Sequence, residues 1–202
     1  MHLYSMPSSG NSYKVRLLLA LLGQSVDMTD VEYGWPALER AKAEGALPFG
    51  KAPVLALDDG TLLPESNAIL MYLGHGTAFI PASPTAQAQT LGWMFWEQNQ
   101  HEGVIAVRAA LRTYPHRAAQ ATPERLAQLL DAGHDLLAVM ERHLDGRDWL
   151  VGNDPTLADI CLYAYTHSAG PKGGFDMGRY PAIGAWLDRV AALPGFAPMG
   201  AQ

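Results

Sequence analysis

Hydrophobic and polar residues follow different patterns in the two parts of this chain. Up to about residue 75, short apolar runs alternate with segments of helical periodicity. The runs predict strands over residues 2–5, 26–32, 54–57 and 61–63, and the periodic segments predict helices over 12–22, 35–43 and 65–73. This order, strand-helix-strand-helix-strand-strand-helix, predicts an α/β domain.

After residue 85 the strand signals nearly disappear. Apolar residues recur at three- and four-residue spacing over residues 85–113, 123–144, 156–169 and 183–192, which predicts an all-α helical bundle. Glycine and proline are frequent just before it, which indicates a linker. We therefore expect a domain over residues 1–76, a linker over 77–84 and a helical domain over 85–202.

Composition narrows the possible functions. The 202-residue chain has a net charge of −6, and its 14 Lys and Arg residues are scattered, so no basic stripe for nucleic acid is present. Its longest apolar run, 15–22, is interrupted by Arg16 and is too short to span a bilayer, and the start has no signal-peptide pattern. The single cysteine, Cys161, permits no internal disulfide and fits a reducing compartment. We expect a cytoplasmic enzyme that binds neither membranes nor nucleic acid.

A metal site is not expected. None of the seven histidines forms an i, i+4 pair with a carboxylate partner, and there is no second cysteine.

The most informative segment is a hairpin that leads into a helix. Asp59-Gly60 is a strong turn signal between two short apolar runs, and Glu65 and Ser66 follow at the start of the next helix. Free backbone N–H groups and the positive dipole end at that start favour a bound carboxylate. Pro53 lacks an N–H, so it belongs at a strand start, where a cis bend would expose the backbone of Ala52. The arrangement suits a peptide ligand.

These residues resemble the glutathione-binding half of the cytosolic glutathione transferases. The resemblance extends over nearly the whole chain, since residues 3–12 resemble the family's first strand and donor loop, and residues 155–160 resemble a motif in its helical domain. It implies a thioredoxin-like N-terminal domain, an all-α C-terminal domain, glutathione as co-substrate and a homodimer. Phe49 and Tyr72 are candidates for the interface.

The resemblance places the thiol donor in the loop after the first strand. Glutathione's thiol has an ordinary pKa of about 8.5, and lowering it by two units requires about 2.7 kcal/mol of preference for the thiolate. Ser9 is the first candidate donor and Asn11 the second. Serine and asparagine are also the usual helix N-cap residues, so capping alone is the alternative for both.

The resemblance also assigns binding roles. Glu65 is expected to bind the γ-glutamyl amino group and Ser66 its carboxylate. Lys51 would pair with the glycyl carboxylate, and Ala52, before the cis Pro53, would offer its backbone to the cysteinyl part as an added strand.

In the second domain, His101, Ile105 and Arg108 share a predicted helix face and are candidates for the electrophile site. Thr156 and Asp159 fit a capping box, with aspartate in the usual glutamate position, and are expected to stabilise the fold.

The sequence therefore predicts an enzyme that activates glutathione as a thiolate, for conjugation to electrophiles or for reduction of disulfides or peroxides. Two alternatives stay open. One is a glutathione-dependent isomerase. The other is a non-catalytic transferase-like protein with a glutathione-binding or regulatory role.

Overall fold

The computed structural model describes residues 1–200, which divide into two compact units. The first comprises Met1–Ile80 together with the tail from Ala191 onward, and the second comprises Pro81–Val190.

The first unit contains a four-stranded mixed sheet. Its strands are β1 (His2–Ser5), β2 (Asp27–Asp30), β3 (Val54–Ala56) and β4 (Leu62–Pro64), in the order β2-β1-β3-β4. The strand β1 runs parallel to β2 and antiparallel to β3, and β4 is antiparallel to β3. The predicted thioredoxin-like α/β domain is confirmed.

Three helices accompany this sheet: α1 (Gly10–Leu21), α2 (Pro36–Ala43) and α3 (Ser66–Gly74). The helix α1 buries Val15, Leu17 and Leu18 completely, and α3 buries Ile69 and Leu70. Removing these side chains from water is the main force that fixes both helices against the sheet. The positions of their first residues matter most for function, because α1 and α3 carry the predicted site.

The tail from Ala191 groups with the first unit, whereas periodicity had placed all of 85–202 in the helical domain. The hydroxyl of Tyr13 on α1 donates to the carbonyl of Ala197 at 2.8 Å. Gly195 has a φ of +84°, and a Cβ there would lie 2.7 Å from the carbonyl oxygen of Ala20. Both contacts are made to backbone carbonyls distant in sequence, which side-chain periodicity does not report.

The second unit is helical, as predicted. Its α-helices are α4 (Pro84–Trp96), α5 (Val107–Thr113), α6 (Pro123–Leu144), α7 (Leu157–Thr166) and α8 (Pro181–Ala191), the last of which ends at the unit boundary. Short 3₁₀ turns occupy Pro115–Gln120 and Met177–Arg179, and a short π turn occupies Ala169–Gly173. No helix within residues 1–200 is long and apolar enough to cross a membrane.

The predicted single helix over 85–113 is interrupted by a π-helical segment, Glu97–Ala106, between α4 and α5. Three of its polar side chains contact α7. Cys161 Sγ donates to Glu97 Oε2 at 3.2 Å, His101 Nε2 lies 3.1 Å from Thr166 Oγ1, and the Tyr165 hydroxyl donates to Glu102 Oε1 at 3.2 Å. The wider π turn brings these side chains to one face, and α-helical periodicity alone does not predict it.

Candidate active site

Ser9 is the N-cap of α1. Its backbone is extended, with φ −87° and ψ 128°, and its side-chain oxygen accepts a 3.4 Å hydrogen bond from the backbone N–H of Ser12. The Ser9 N–H donates to the carbonyl of Met6 at 3.0 Å, which closes a turn between β1 and α1. Capping uses the oxygen of the hydroxyl as an acceptor, so its proton can still be donated to a bound anion. The capping role and the donor role are therefore compatible.

The turn over residues 6–9, which we call the donor loop, is held by Arg16, a residue in the second turn of α1. Its guanidinium donates to the hydroxyl of Ser5 at 2.6 Å, to the carbonyl of Met6 at 3.3 Å and to the carbonyl of Pro7 at 3.2 Å. Burial lowers the pKa of the Arg16 guanidinium from its ordinary value, and the charges of Asp30 and Tyr13 act in the opposite direction.

Two further side chains hold the donor loop. The Ser12 hydroxyl accepts a bond from the Met6 N–H at 2.9 Å, and Glu32 Oε2 accepts one from the Ser8 N–H at 3.0 Å. The other oxygen of Glu32 accepts a bond from the Tyr33 N–H at 3.0 Å. The loop is thus tied both to α1 and to the segment after β2.

A hydrogen bond joins the two predicted parts of the glutathione site. The Ser66 hydroxyl donates to Asn11 Oδ1 at 3.1 Å, across 55 positions of sequence. Asn11 is in the first turn of α1, and Ser66 is the first residue of α3. The bond therefore brings two helix N-termini together, each with a positive dipole end. Such a pair of helix starts favours an anionic ligand.

Glu65 is exposed and has a φ of +72°, a left-handed conformation that is unusual for a residue with a side chain. In the antiparallel pairing of β3 with β4, Val54 lies opposite Pro64. Continuing this register by one residue places Pro53 opposite Glu65. The peptide bond between Ala52 and Pro53 is cis.

The remaining predicted ligand residues of the first unit lie close in sequence to this cis bond. Lys51 is exposed and Ala52 is half-buried, whereas Pro53 and Ser66 are buried. An exposed lysine is free to meet a carboxylate, and its usual alternative is simply hydration.

The predicted electrophile residues lie in the packing of the second unit. His101 and Ile105 are both fully buried, and His101 contacts Thr166 and the ring of Trp96, with centroids 5.6 Å apart. The helix face predicted from periodicity is therefore a packing face in the described structure.

Arg108 is also engaged inside the second unit. It is 5% exposed, its Nε donates to the carbonyl of Gly173 at 2.8 Å, Nη1 donates to the carbonyl of Leu126, and the guanidinium lies 5.6 Å from the ring centroid of Phe175. Its neighbour Arg112 donates to the carbonyl of Lys172 at 3.1 Å. These contacts give Arg108 a structural role and oppose its use as a free cation for a second substrate.

Thr156 and Asp159 form a capping box at the start of α7. Asp159 Oδ2 accepts bonds from the N–H and hydroxyl of Thr156, and Oδ1 accepts bonds from the N–H of Leu150 at 3.0 Å and from Trp186 Nε1 at 2.9 Å. Burial raises the pKa of the Asp159 carboxyl, against the four hydrogen bonds, which lower it. The residue stabilises the second unit by joining α7, α8 and the preceding loop.

Sequence reasoning missed Arg16 and Glu32, which hold the donor loop, and it did not find the part that Ser12 plays in holding it. A signal for Arg16 was present, because it is a charged residue within an otherwise apolar helical run. The described residues contain no group of three or more His, Cys, Asp or Glu side chains that could hold a metal ion.

Two family models match the chain. The model for the glutathione S-transferase N-terminal domain matches residues 3–78, and the model for the C-terminal domain of the same family matches residues 104–194. The chain belongs to the glutathione S-transferase family.

Similar proteins of known structure or name support this membership. The crystal structure of a glutathione S-transferase from Pseudomonas fluorescens has a TM-score of 0.91 and 42% identity, and the match covers 98% of each chain. The maleylacetoacetate isomerase of Pseudomonas aeruginosa is 30% identical over 97% of this chain and 93% of its own. The disulfide-bond oxidoreductase YfcG of Escherichia coli is 27% identical over 95% of this chain and 90% of its own. These relatives differ in named activity, so membership does not select one reaction.

Proposed function

We propose that this protein is a glutathione transferase that binds glutathione and activates its thiol as a thiolate. The observation that carries the proposal is the hydrogen bond between Ser66 and Asn11, because it joins the predicted γ-glutamyl site to the predicted thiol site. Family membership supports glutathione as the co-substrate.

In this proposal Ser9 is the thiol donor. Its hydroxyl lies at the start of α1, where the positive end of the helix dipole also stabilises a negative charge. The donor loop is held before the ligand binds, so little reorganisation is needed when the thiolate forms. Asn11 remains the second candidate, but its contact with Ser66 favours a role in orienting the γ-glutamyl site.

The γ-glutamyl end is proposed to bind Glu65 through its amino group, and Ser66 and the start of α3 through its carboxylate. The glycyl carboxylate would pair with Lys51, and the cysteinyl backbone with Ala52. Each contact matches a charge or a free backbone group of glutathione with its complement in the first unit.

We propose conjugation, or reduction in which two glutathione molecules react in turn, as the reaction class. The donor loop contains no cysteine, and Cys161 is fully buried, so the protein is not expected to form the mixed disulfide itself. An isomerase acting on a dicarboxylate would need free cations, and the buried Arg108 guanidinium donates to backbone carbonyls instead. This observation favours a transferase or reductase over an isomerase, although one relative carries the isomerase name.

The thiolate absorbance of bound glutathione, measured across pH in the ultraviolet, tests the proposal. We expect the wild-type complex to ionise well below the thiol's ordinary pKa of about 8.5. Ser9→Ala should raise the pKa of the bound thiol by about one to two units, because it removes a charge-assisted hydrogen bond. Asn11→Ala should mainly weaken binding, and Ser25→Ala, at an exposed serine, is the control.

The same measurement addresses the non-catalytic alternative. Retention on glutathione resin with an unshifted thiol and no turnover of electrophile, disulfide or peroxide would favour a binding or regulatory protein.

We further propose a cytoplasmic homodimer, and a light-scattering mass equal to one chain would refute the dimer.

A further inference from the structure

Arg16 makes contacts that neither capping nor core packing requires. It is on the same helix as Ser9 and Asn11, but its guanidinium reaches back to the strand end and the donor loop instead of to solvent. Three acceptors from three consecutive residues, Ser5 to Pro7, converge on it. Its planar fork of donors fits such a convergent set of oxygens better than any other side chain.

The acceptors explain what Arg16 controls. The carbonyl of Met6 accepts from Arg16 and also from the N–H of Ser9, so the guanidinium acts on the bond that closes the donor loop. The carbonyl of Pro7 is fixed in the same way. Ser5 is fully buried, and its hydroxyl needs a partner for that reason. Losing Arg16 would leave these oxygens without that donor and would free the turn that carries Ser9.

Charge adds to this geometric effect. Arginine keeps its proton at all physiological pH values, so a half-buried positive charge lies beside the donor loop. An adjacent cation lowers the pKa of an acid, and the low dielectric of a partly buried position strengthens the effect.

We propose that Arg16 is the positioning residue of the thiol site, which holds the Ser9 hydroxyl in its donating geometry and adds a fixed positive charge beside the thiolate. This inference rests on the proposed function. Arg16 acts through the donor loop and not by contact with glutathione.

The test separates thiol ionisation from ligand binding. Bound-thiol pKa is measured from thiolate absorbance with glutathione, and affinity is measured with S-methylglutathione, which has no thiol to ionise. The variants are Arg16→Met, which removes charge and hydrogen bonds, Arg16→Lys, which keeps the charge but not the fork, and Ser5→Ala, which removes one acceptor. Arg40→Met is the matched control, since Arg40 is an exposed arginine on α2 of the same unit.

We expect Arg16→Met to raise the pKa of the bound thiol by about one unit. If the wild-type value is lowered by about two units, to about 6.5, kcat/KM near pH 6.5 should then fall by about fivefold, because the thiolate fraction falls from about one half to about one tenth. Affinity for S-methylglutathione should stay within about threefold. Arg16→Lys should recover part of the shift, Ser5→Ala should show a smaller one, and Arg40→Met should match the wild type.

An unchanged thiol pKa in Arg16→Met overturns the inference, even if the melting temperature falls. A merely structural role would reduce the fraction of folded protein and would leave the pKa of glutathione bound to the folded protein unchanged. If Arg16→Met does not fold, Arg16→Lys and Ser5→Ala decide, and unchanged thiol pKa values in both overturn it. If wild-type protein itself leaves the thiol unshifted, the proposed function has failed and the inference fails with it.

Discussion

Replacing Gly133 with alanine should destabilise the helical unit, although alanine is the better helix former. Gly133 lies in α6, and a Cβ there would be 2.3 Å and 2.4 Å from two ring carbons of Phe175 and 3.1 Å from Ile105 Cδ1. Carbon atoms in contact are about 3.5 to 4.0 Å apart, so the ring would have to move by more than about 1 Å. The ring is buried, lies against Gly173 on another side and is covered by the Arg108 guanidinium.

The expected magnitude is the balance of two effects. Overpacking a buried site costs about 1 to 3 kcal/mol, and replacing a helical glycine with alanine returns up to about 1 kcal/mol. Because two contacts are below 2.5 Å, the overpacking cost should lie at about 2 to 3 kcal/mol, and a return of about 1 kcal/mol leaves a loss of about 1 to 2 kcal/mol in the free energy of unfolding. That loss lowers the melting temperature by roughly 2 to 8 °C in a chain of this size.

Urea and thermal unfolding of Gly133→Ala beside Gly92→Ala provide the assay. Gly92 is an exposed glycine in α4, and a Cβ there would meet no atom of the described residues within 4 Å, so this control should gain up to about 1 kcal/mol. Adding Phe175→Leu should destabilise the Gly133→Ala protein less than it destabilises the wild type, which is favourable coupling between the two sites. Equal or raised stability in Gly133→Ala would refute the packing of Phe175 on α6.

Three further predictions concern single positions. Glu65→Gly should raise the free energy of unfolding by about 1 kcal/mol, because glycine accepts φ +72° without strain. It should weaken glutathione binding at least about tenfold by calorimetry, whereas Glu65→Gln should weaken binding without the gain in stability. Asp159→Ala should lower the free energy of unfolding by about 3 kcal/mol or more and reduce soluble yield, because Trp186 Nε1 and three other donors lose their acceptor. Thr156→Ser should leave the free energy of unfolding nearly unchanged. Burial is the largest cause that lowers the pKa of His167 in the folded state. The stability contributed by neutral His167 is therefore fully present above about pH 6.5 and is lost as the pH falls through the lowered pKa. Unfolding measured from about pH 8 to pH 5 should show wild type losing stability relative to His167→Gln, and a difference independent of pH would contradict this.

The strands and most helices could be predicted because local pattern and tertiary structure agree there. The strand β1 has the predicted bounds, and β3 and α2 each differ from prediction by one residue at an end. Helix α1 begins at Gly10 and not at residue 12, because Ser9 acts as its N-cap. The Glu65-Ser66 pair could be placed at a helix start from turn chemistry alone, since Asp59-Gly60 fixes the hairpin before it.

The remaining features depend on contacts between residues distant in sequence. The π-helical segment begins with six consecutive polar residues, 97–102, and three of them contact α7, a helix about 60 residues further along the chain. Local periodicity does not report such contacts. Arg108 was a candidate for the electrophile site because its acceptors, the backbone carbonyls of Leu126 and Gly173, are not encoded in a side-chain pattern. The three acceptors of Arg16 were invisible for the same reason.

The first unit is discontinuous along the chain, and the bond from Tyr13 to Ala197 ties its two segments together. During synthesis its sheet can form early, but the segment that packs on Ala20 leaves the ribosome only after the entire helical unit. An isolated first domain that ends at Ile80 would lack this segment. A permuted chain that joins residues 191–200 to residues 1–80 through a flexible linker is the better design for studying thiol activation without the helical unit.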